Sequence, residues 1–368
     1  MMRRLLEVLI VAAAILAVSV LLKLTPTVAA QAPTARAQAA TAAKTGAAPR
    51  TPWGDPDLQG TWDNTSETAF ERPARFAGRA ELTDDEVTQL EGQASAARSA
   101  PDRGPRPGDT GFYSTRVWNE PGTLSRQTSL VVDPPDGKLP PLTPEGEAAR
   151  KARLRGGQFR DRGFDSWEDL HLWERCLSKG GLPNNMFPRG YNNNTQIVQT
   201  PGYVGLLHEM IHEVRIIPLD GRQHLPENVR QWMGDGRGHW EGDTLVVDTT
   251  NLDDRVSALQ PWADYTSRGG SGRKMHLVER FTRVDSNTIS YRVTVDDPLM
   301  YTKPWTVAMP MVRSTEPVYE YACHEANYTM QAVLEGEQRL REQEAEAAKS
   351  GKPIERKPAT PGTVAPPE

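Results

Sequence analysis

His208-Glu209-x-x-His212 has the residue types and the spacing of a zinc hydrolase site. On a helix, residues four apart lie one turn above each other. Both imidazoles then reach one ion, and the glutamate between them serves as general base. On an extended strand the same two histidines stand about 13 Å apart, and no single ion bridges them. The surrounding stretch, "YVGLLHEMIHEVRIIPLDG", is bounded by Pro201-Gly202 and Pro218. Within it Val204, Leu206, Met210, Val214 and Ile216 share one parity, while Tyr203, Gly205, Glu209, Glu213 and Arg215 share the other. This alternation, and the β-rich ending "VRIIPLDGR", predict extended backbone from 203 to 217. His208 and His212 then become hydrogen-bonded residues on a semi-apolar face and candidate ligand contacts, and no metal or cofactor is expected. The zinc reading stays open as the alternative. It needs a third ligand, and His224 comes too late for the extended motif, which leaves a downstream glutamate.

Glu279 is the second group able to do chemistry. Along "KMHLVERFTRVDSNTISYRVTVDD" it shares a parity with Met275, Leu277 and Phe281, while Ile289, Tyr291, Val293 and Val295 share a face of the return strand. If these faces line a barrel, Glu279 is a carboxyl in an apolar setting. Its pKa then rises, which suits an acid or base, or it pairs with an arginine across the sheet. His324 follows Cys323, but neighbours on a strand point to opposite faces, so the histidine does not activate that thiol locally. Cys176 and Cys323 are the two cysteines of the chain. In an oxidising compartment they form a bridge, worth up to about 4–5 kcal/mol for a loop of this length in the chain-entropy model. The alternative is two separate buried thiols. Asn192, Asn193 and Asn194 favour a structured turn, or orient a polar ligand at a barrel mouth. Trp167, Trp173, Trp232, Trp240, Trp262 and Trp305 supply large apolar faces for a core or a ligand cavity.

The elements that must position these groups fall into two parts. From 195 to 336 the chain reads as an antiparallel β-meander: "TQIVQT", the 203–217 stretch, a hairpin turning at Glu241-Gly242-Asp243, a second turning at Asp285-Ser286-Asn287, then "WTVAMPMVR" and "VYEYACHE". From 51 to 194 the reading is irregular and partly helical. It has a first short strand at Gly60-Thr61-Trp62, a helix capped by Thr83 with Glu86, another capped by Thr143 with Pro144, and a third over "FDSWEDLHLWERCL". The expected fold is therefore mainly β, a lipocalin-like barrel or a sandwich, with an irregular N-terminal region. Residues 337–368 read as the end of a charged helix and a disordered tail.

Residues 1–30 read as an export signal: Arg3-Arg4, an apolar run of roughly 18 residues, then Val28-Ala29-Ala30. Left uncleaved, the run would anchor the chain in a membrane. Residues 31–50 read as a flexible leader. The expected location is periplasmic or secreted. The net charge of −5, with both signs mixed along the chain, argues against a nucleic-acid partner. The 30 prolines and 30 glycines favour short elements joined by many turns.

The segments "PDLQGTW", "RCLSKGGLP", "YNNNTQIVQTPGYV", "HEMIHEVRIIPLDGR", "WEGDTLVVDTTN", "ERFTRVDSNTISYRVTVDDP" and "YEYACHEANY" together resemble a large, uncharacterised family of exported bacterial proteins. The resemblance spans most of 51–328. It implies export and no established activity, and it implies that His208 is not a metal ligand. Gly60-x-Trp62 before a β-meander resembles the lipocalin signature, although the helical insertion that follows departs from that pattern. The function expected is binding of a small amphipathic molecule in a barrel cavity. The alternatives are an enzyme using Glu279 or a histidine as acid or base, and the zinc hydrolase.

Overall fold

A computed structural model describes residues 49–100, 119–154, 164–170, 172–255, 271–325, 327–351 and 354. Its contacts divide the chain into two units, 1–44 and 45–368, and the described residues all belong to the second. The export signal, most of the leader, Trp262 and the end of the tail lie outside them. In chain order the elements are β1 (Gly60–Asp63), α1 (Asp84–Ser99), β2 (Val131–Asp133), α2 (Pro144–Leu154), β3 (Asn194–Thr200), β4 (Tyr203–His208), β5 (Val214–Pro218), β6 (Asp235–Glu241), β7 (Thr244–Thr250), β8 (His276–Arg283), β9 (Thr288–Asp296), β10 (Trp305–Arg313) and α3 (Thr329–Lys349). Among the described residues no helix is long and apolar enough to cross a membrane.

The strands form one sheet in the order β5-β4-β3-β1-β10-β9-β8-β7-β6, with β2 paired to the start of β10. It curls into a nearly closed barrel, not a sandwich. Apart from β2, each strand lies beside its neighbour in sequence, and pairing of β10 with β1 joins the last strand to the first. The gap in the ladder falls elsewhere, between β5 and β6. Strand parity explains it. Every bonded pair on the path is antiparallel. Alternating directions close a ring only with an even number of strands, and this path holds nine. One adjacent pair must therefore run parallel, and that pair is β5 and β6. A parallel neighbour cannot be reached by a tight hairpin, so residues 219–234 carry the chain back to the starting end.

Side chains seal the far end of this seam. A Cβ on Gly238 would lie 2.8 Å from Ile217 Cγ2 and 2.6 Å from Leu219 Cδ2. Glycine at 238 lets β6 approach β5 there without a ladder. Nearer the beginnings of the two strands a cavity is lined by both.

The barrel interior is filled by alternate residues of each strand. Leu277, Glu279 and Phe281 of β8, with Ile289, Tyr291, Val293 and Val295 of β9, are all 0–1% exposed. Trp62 of β1 is fully buried, donates its indole N–H to the Leu58 carbonyl (2.9 Å), and lies under the guanidinium groups of Arg283 and Arg313. Gly60 beside it has φ +136°, and a Cβ there would meet Arg313 Nη1 at 3.0 Å. The Gly60-x-Trp62 pair thus shapes one end of the barrel.

Three expectations need correction. The 203–217 stretch is not one strand but the β4–β5 hairpin. It reverses at Glu209–Glu213, where Ile211 (φ 61°) and His212 (φ 46°) take left-handed backbone inside a 3-10 turn. The reversal exchanges the faces. Val204 and Leu206 point inward as their parity predicts, but on β5 the inward residues are Arg215 and Ile217, while Val214 and Ile216 are exposed. Among its described residues the helix expected over "FDSWEDLHLWERCL" is a 3-10 turn at Trp167–Asp169, started by the Ser166–Asp169 capping box and ended by the extended backbone of Leu170. "VYEYACHE" forms no strand. Its Tyr321 carbonyl accepts from Cys323 N within the segment, and the chain is held to the 173–176 region by side chains and a disulfide instead.

Candidate functional site

The H-E-x-x-H residues part at the hairpin turn. His208 ends β4 inside the barrel at 2% exposure. Its Nδ1 lies 3.3 Å from Thr195 Oγ1, and its Nε2 has no partner among the described residues. Burial, with Arg215 and Arg189 nearby, pushes its pKa down to about 3, so the ring is neutral. His212 is exposed, with Nδ1 3.0 Å from the Tyr321 carbonyl oxygen. Glu209 is buried and accepts from the Asn194 amide (3.2 Å) and from Asn194 Nδ2 (2.9 Å). Among the described residues no group of three or more His, Cys, Asp or Glu is placed to hold a metal ion.

The asparagine turn is held from inside the protein. Glu120 accepts from the Asn192 amide (2.7 Å) and Asn193 Nδ2 (2.9 Å), and Asn193 Oδ1 accepts from the Arg189 amide (2.8 Å). Asn192 takes left-handed backbone, φ 55°. These contacts give Asn192 and Asn193 a positioning role in their loop, while Asn194, the first residue of β3, holds Glu209. Glu279 has no solvent exposure. It accepts from Arg215 through both oxygens and from the Tyr291 hydroxyl (2.9 Å). This is the cross-sheet arginine pair, and the carboxyl has no opening to a substrate. Cys176 and Cys323 are joined in a disulfide with Cα atoms 5.7 Å apart. His324 is exposed beside it.

The cavity with the most chemical content opens beside the beginnings of β5 and β6. It is a cleft of about 650 Å³. One wall is Glu213 with β5 as far as Ile217. The other is the end of the crossover and the start of β6, Arg230 to Gly236, with Asp253, Arg255 and Leu177 at its margin. Trp232 lies under the Arg255 guanidinium, 4.5 Å from ring centroid to carbon, and Arg255 pairs with Asp253 at 2.7 Å.

Two buried acids line the cleft and differ in their partners. Asp235 is saturated: Arg237 Nη1 lies at 2.6 Å, His224 Nδ1 at 3.0 Å, and the Leu225 amide donates at 2.9 Å. Glu213 is not. Its Oε2 accepts from Asn185 Nδ2, whose own Oδ1 accepts from Arg189 Nη2 at 2.6 Å. The Ser178 hydroxyl and the Lys179 amide also approach the carboxyl, yet Oε1 has no hydrogen-bond partner among the described residues. Burial pushes the Glu213 pKa up, against these donors and Arg189. The loop that cradles it is ordered by the Ser178 hydroxyl, which accepts from the Gly180 (3.2 Å) and Gly181 (3.0 Å) amides.

Sequence reasoning placed Glu213 on the outward, polar parity and so missed it. Its signal was present in pieces, as the glutamate directly after H-E-x-x-H and the Ser-Lys-Gly-Gly-Leu-Pro-Asn-Asn run at 178–185. Only folding puts one on the other. Among the described tryptophans, Trp232 lines the cleft. A second groove, about 700 Å³, runs between Phe164–Asp165 and α3, but Arg341 there pairs with Asp165 and Glu337. No family model, curated protein or solved structure compared with the chain matches it.

Proposed function

We propose that this is an exported binding protein whose small amphipathic ligand occupies the cleft between β5 and β6. The observation that carries the reading is Glu213, a buried carboxyl in the wall of an open cleft whose Oε1 has no hydrogen-bond partner among the described residues and whose pKa burial pushes up. Buried polar groups are hydrogen-bonded almost without exception, so an open valence beside an accessible cavity marks where a ligand group belongs. Leu177, Val214, Ile216 and Trp232 supply apolar area around it, and Arg230 and Arg255 supply charge. The Cys176–Cys323 bridge supports an oxidising compartment, periplasmic or outside the cell.

The test is native mass spectrometry of the purified full chain, followed by titration of any released small molecule. A bound molecule lost on Glu213→Ala, with circular dichroism unchanged, is the expected result. Retention of the molecule by Glu213→Ala and by Trp232→Ala alike sinks the reading.

Acid–base catalysis by Glu213 is a second reading, favoured by the raised pKa of a carboxyl lining a cleft. It requires turnover of some ester, amide or glycoside whose rate follows a carboxyl titrating above its usual range. Glu213→Gln abolishes that turnover and Glu213→Asp keeps part of it.

A further inference from the structure

One polar row crosses three strands at a barrel end. Thr195 of β3 stands opposite His208 of β4. The His208 amide donates to the Glu213 carbonyl (2.9 Å), which extends the β4–β5 register Leu207↔Val214 by one pair. Directly opposed residues of antiparallel strands share a face, with Cβ atoms about 4.5–5.5 Å apart. All three side chains are buried and share the inward parity of Leu206 and Arg215. The 3-10 turn Asn184–Met186 holds both ends of the row. Asn185 Nδ2 donates to Glu213 Oε2, while Asn64 Nδ2 reaches the Met186 carbonyl (3.4 Å) and Thr195 Oγ1 (3.3 Å). Glu213 is the member of the row that lines the cleft.

Two neighbours in this row carry open atoms. His208 Nε2 and Glu213 Oε1 each lack a hydrogen-bond partner among the described residues, so they do not bond each other. The arginines nearby are engaged. Arg189 Nη2 donates to the Asn184 carbonyl and to Asn185 Oδ1, each at 2.6 Å, and Arg215 pairs with Glu279. The donor chain fixes what Nε2 offers. Thr195 Oγ1 accepts from Asn64 Nδ2 and gives its own proton to His208 Nδ1, 3.3 Å away. With Nδ1 accepting, the proton of the neutral imidazole stands on Nε2. The row therefore presents an N–H donor beside a carboxyl oxygen. An ammonium group meets the ionised carboxyl and leaves Nε2–H unmet. A carboxylate meets Nε2–H but needs Glu213 protonated. A hydroxyl accepts from Nε2–H and either donates to the ionised carboxyl or accepts from the protonated one.

We infer that the ligand of this cleft is an alcohol whose hydroxyl bonds both His208 Nε2 and Glu213 Oε1. Its apolar body lies along Leu177, Ile216 and Trp232. The inference rests on the cleft being the binding site and assigns the ligand's head group.

Two measurements on the full chain test it. The first is calorimetric titration with four probes that share one apolar body: 1-hexanol, methyl hexyl ether, hexylammonium and hexanoate. Hexanol should bind about ten-fold more tightly than each of the others, the cost of one buried group left unbonded. His208→Phe and Glu213→Leu should each erase that preference. Should either variant misfold, the second measurement asks the question of the unaltered protein. Long-range proton–nitrogen NMR of histidine-labelled chain reads the tautomer of His208, the ring that stays neutral at pH 5. Its proton should stand on Nε2, and the Nε2 resonance should move when hexanol is added. A proton on Nδ1 overturns the inference, and so does equal binding of hexanol and its methyl ether. Tightest binding by hexylammonium or hexanoate, lost in Glu213→Ala, overturns the alcohol class and leaves the proposed function standing. Binding of no probe, with the Nε2 resonance unmoved, overturns the inference in favour of bound water alone. The proposed function falls with it only if a co-purified molecule is retained by Glu213→Ala and Trp232→Ala alike.

Discussion

Arg215 on β5 and Glu279 on β8 form an ion pair inside the barrel, with Nη1 and Oε1 3.0 Å apart and both side chains at most 3% exposed. The pair reaches across the interior, since the two strands stand on separate stretches of the sheet path. Thr249 Oγ1 (3.4 Å) and the Tyr291 hydroxyl complete it, and burial beside Glu279 holds the Tyr291 phenol far above its usual pKa. Taking two charges out of water is costly. Removing one of them is costlier still, because the other is left buried and unpaired.

Glu279→Ala and Arg215→Ala should each destabilise the fold by about 3–5 kcal/mol. Urea unfolding followed by tryptophan fluorescence measures this. The double change to leucine at 279 and methionine at 215 should cost much less than the two single changes added together. Additive losses would show that the two side chains do not act as a pair.

His208 makes stability fall in acid. Its pKa is near 3 in the folded chain and near 6.5 in the unfolded one. Between these values the unfolded state binds one more proton, so this contribution is complete above about pH 6.5 and is lost as the pH falls towards 3. The slope of that loss is at most about 1.4 kcal/mol per pH unit. His208→Gln should flatten the stability profile in this window. An unchanged slope would place the titrating group elsewhere.

The Gly238 position seals the seam. Gly238→Ala brings a methyl to 2.6 Å from Leu219 and 2.8 Å from Ile217, and should cost about 1–3 kcal/mol by overpacking. Gly205→Ala on the outer face meets nothing closer than 3.8 Å and should be within about 0.5 kcal/mol of neutral. Thermal unfolding of the two variants side by side reads the difference.

The disulfide spans a sequence separation of 147. Replacing both cysteines with serine should cost about 2–5 kcal/mol. Because His212 Nδ1 meets the Tyr321 carbonyl and Trp173 Nε1 donates to the Tyr321 hydroxyl, hydrogen exchange should rise first around 319–325. Uniform exchange across the chain would deny the bridge this local role.

Local signals were legible in proportion to how local their causes are. The Thr83–Glu86 capping box starts α1, and the Thr143 hydroxyl accepts from the Gly146 amide at the start of α2. The β8–β9 hairpin and its inward face follow from alternation over a single turn of chain. The 203–217 stretch was misread because alternation does not reveal a reversal. Two left-handed residues in the five-residue turn Glu209–Glu213 carried the apolar Val214 and Ile216 outside and Arg215 in. The cradle of Glu213 comes from Asn185, 28 positions earlier, and nothing in either segment names the other.

By itself the amino-acid sequence determined most of the stretches that are strands, where most turns fall, and which side of β4, β8 and β9 is apolar. These depend on side-chain spacing and on the backbone preferences of neighbouring residues. Only the tertiary structure decided how many strands share the ring, that the count is odd, and therefore that β5 and β6 run parallel with a cleft between them. Closure is a condition on all the strands together, and no window of sequence contains it.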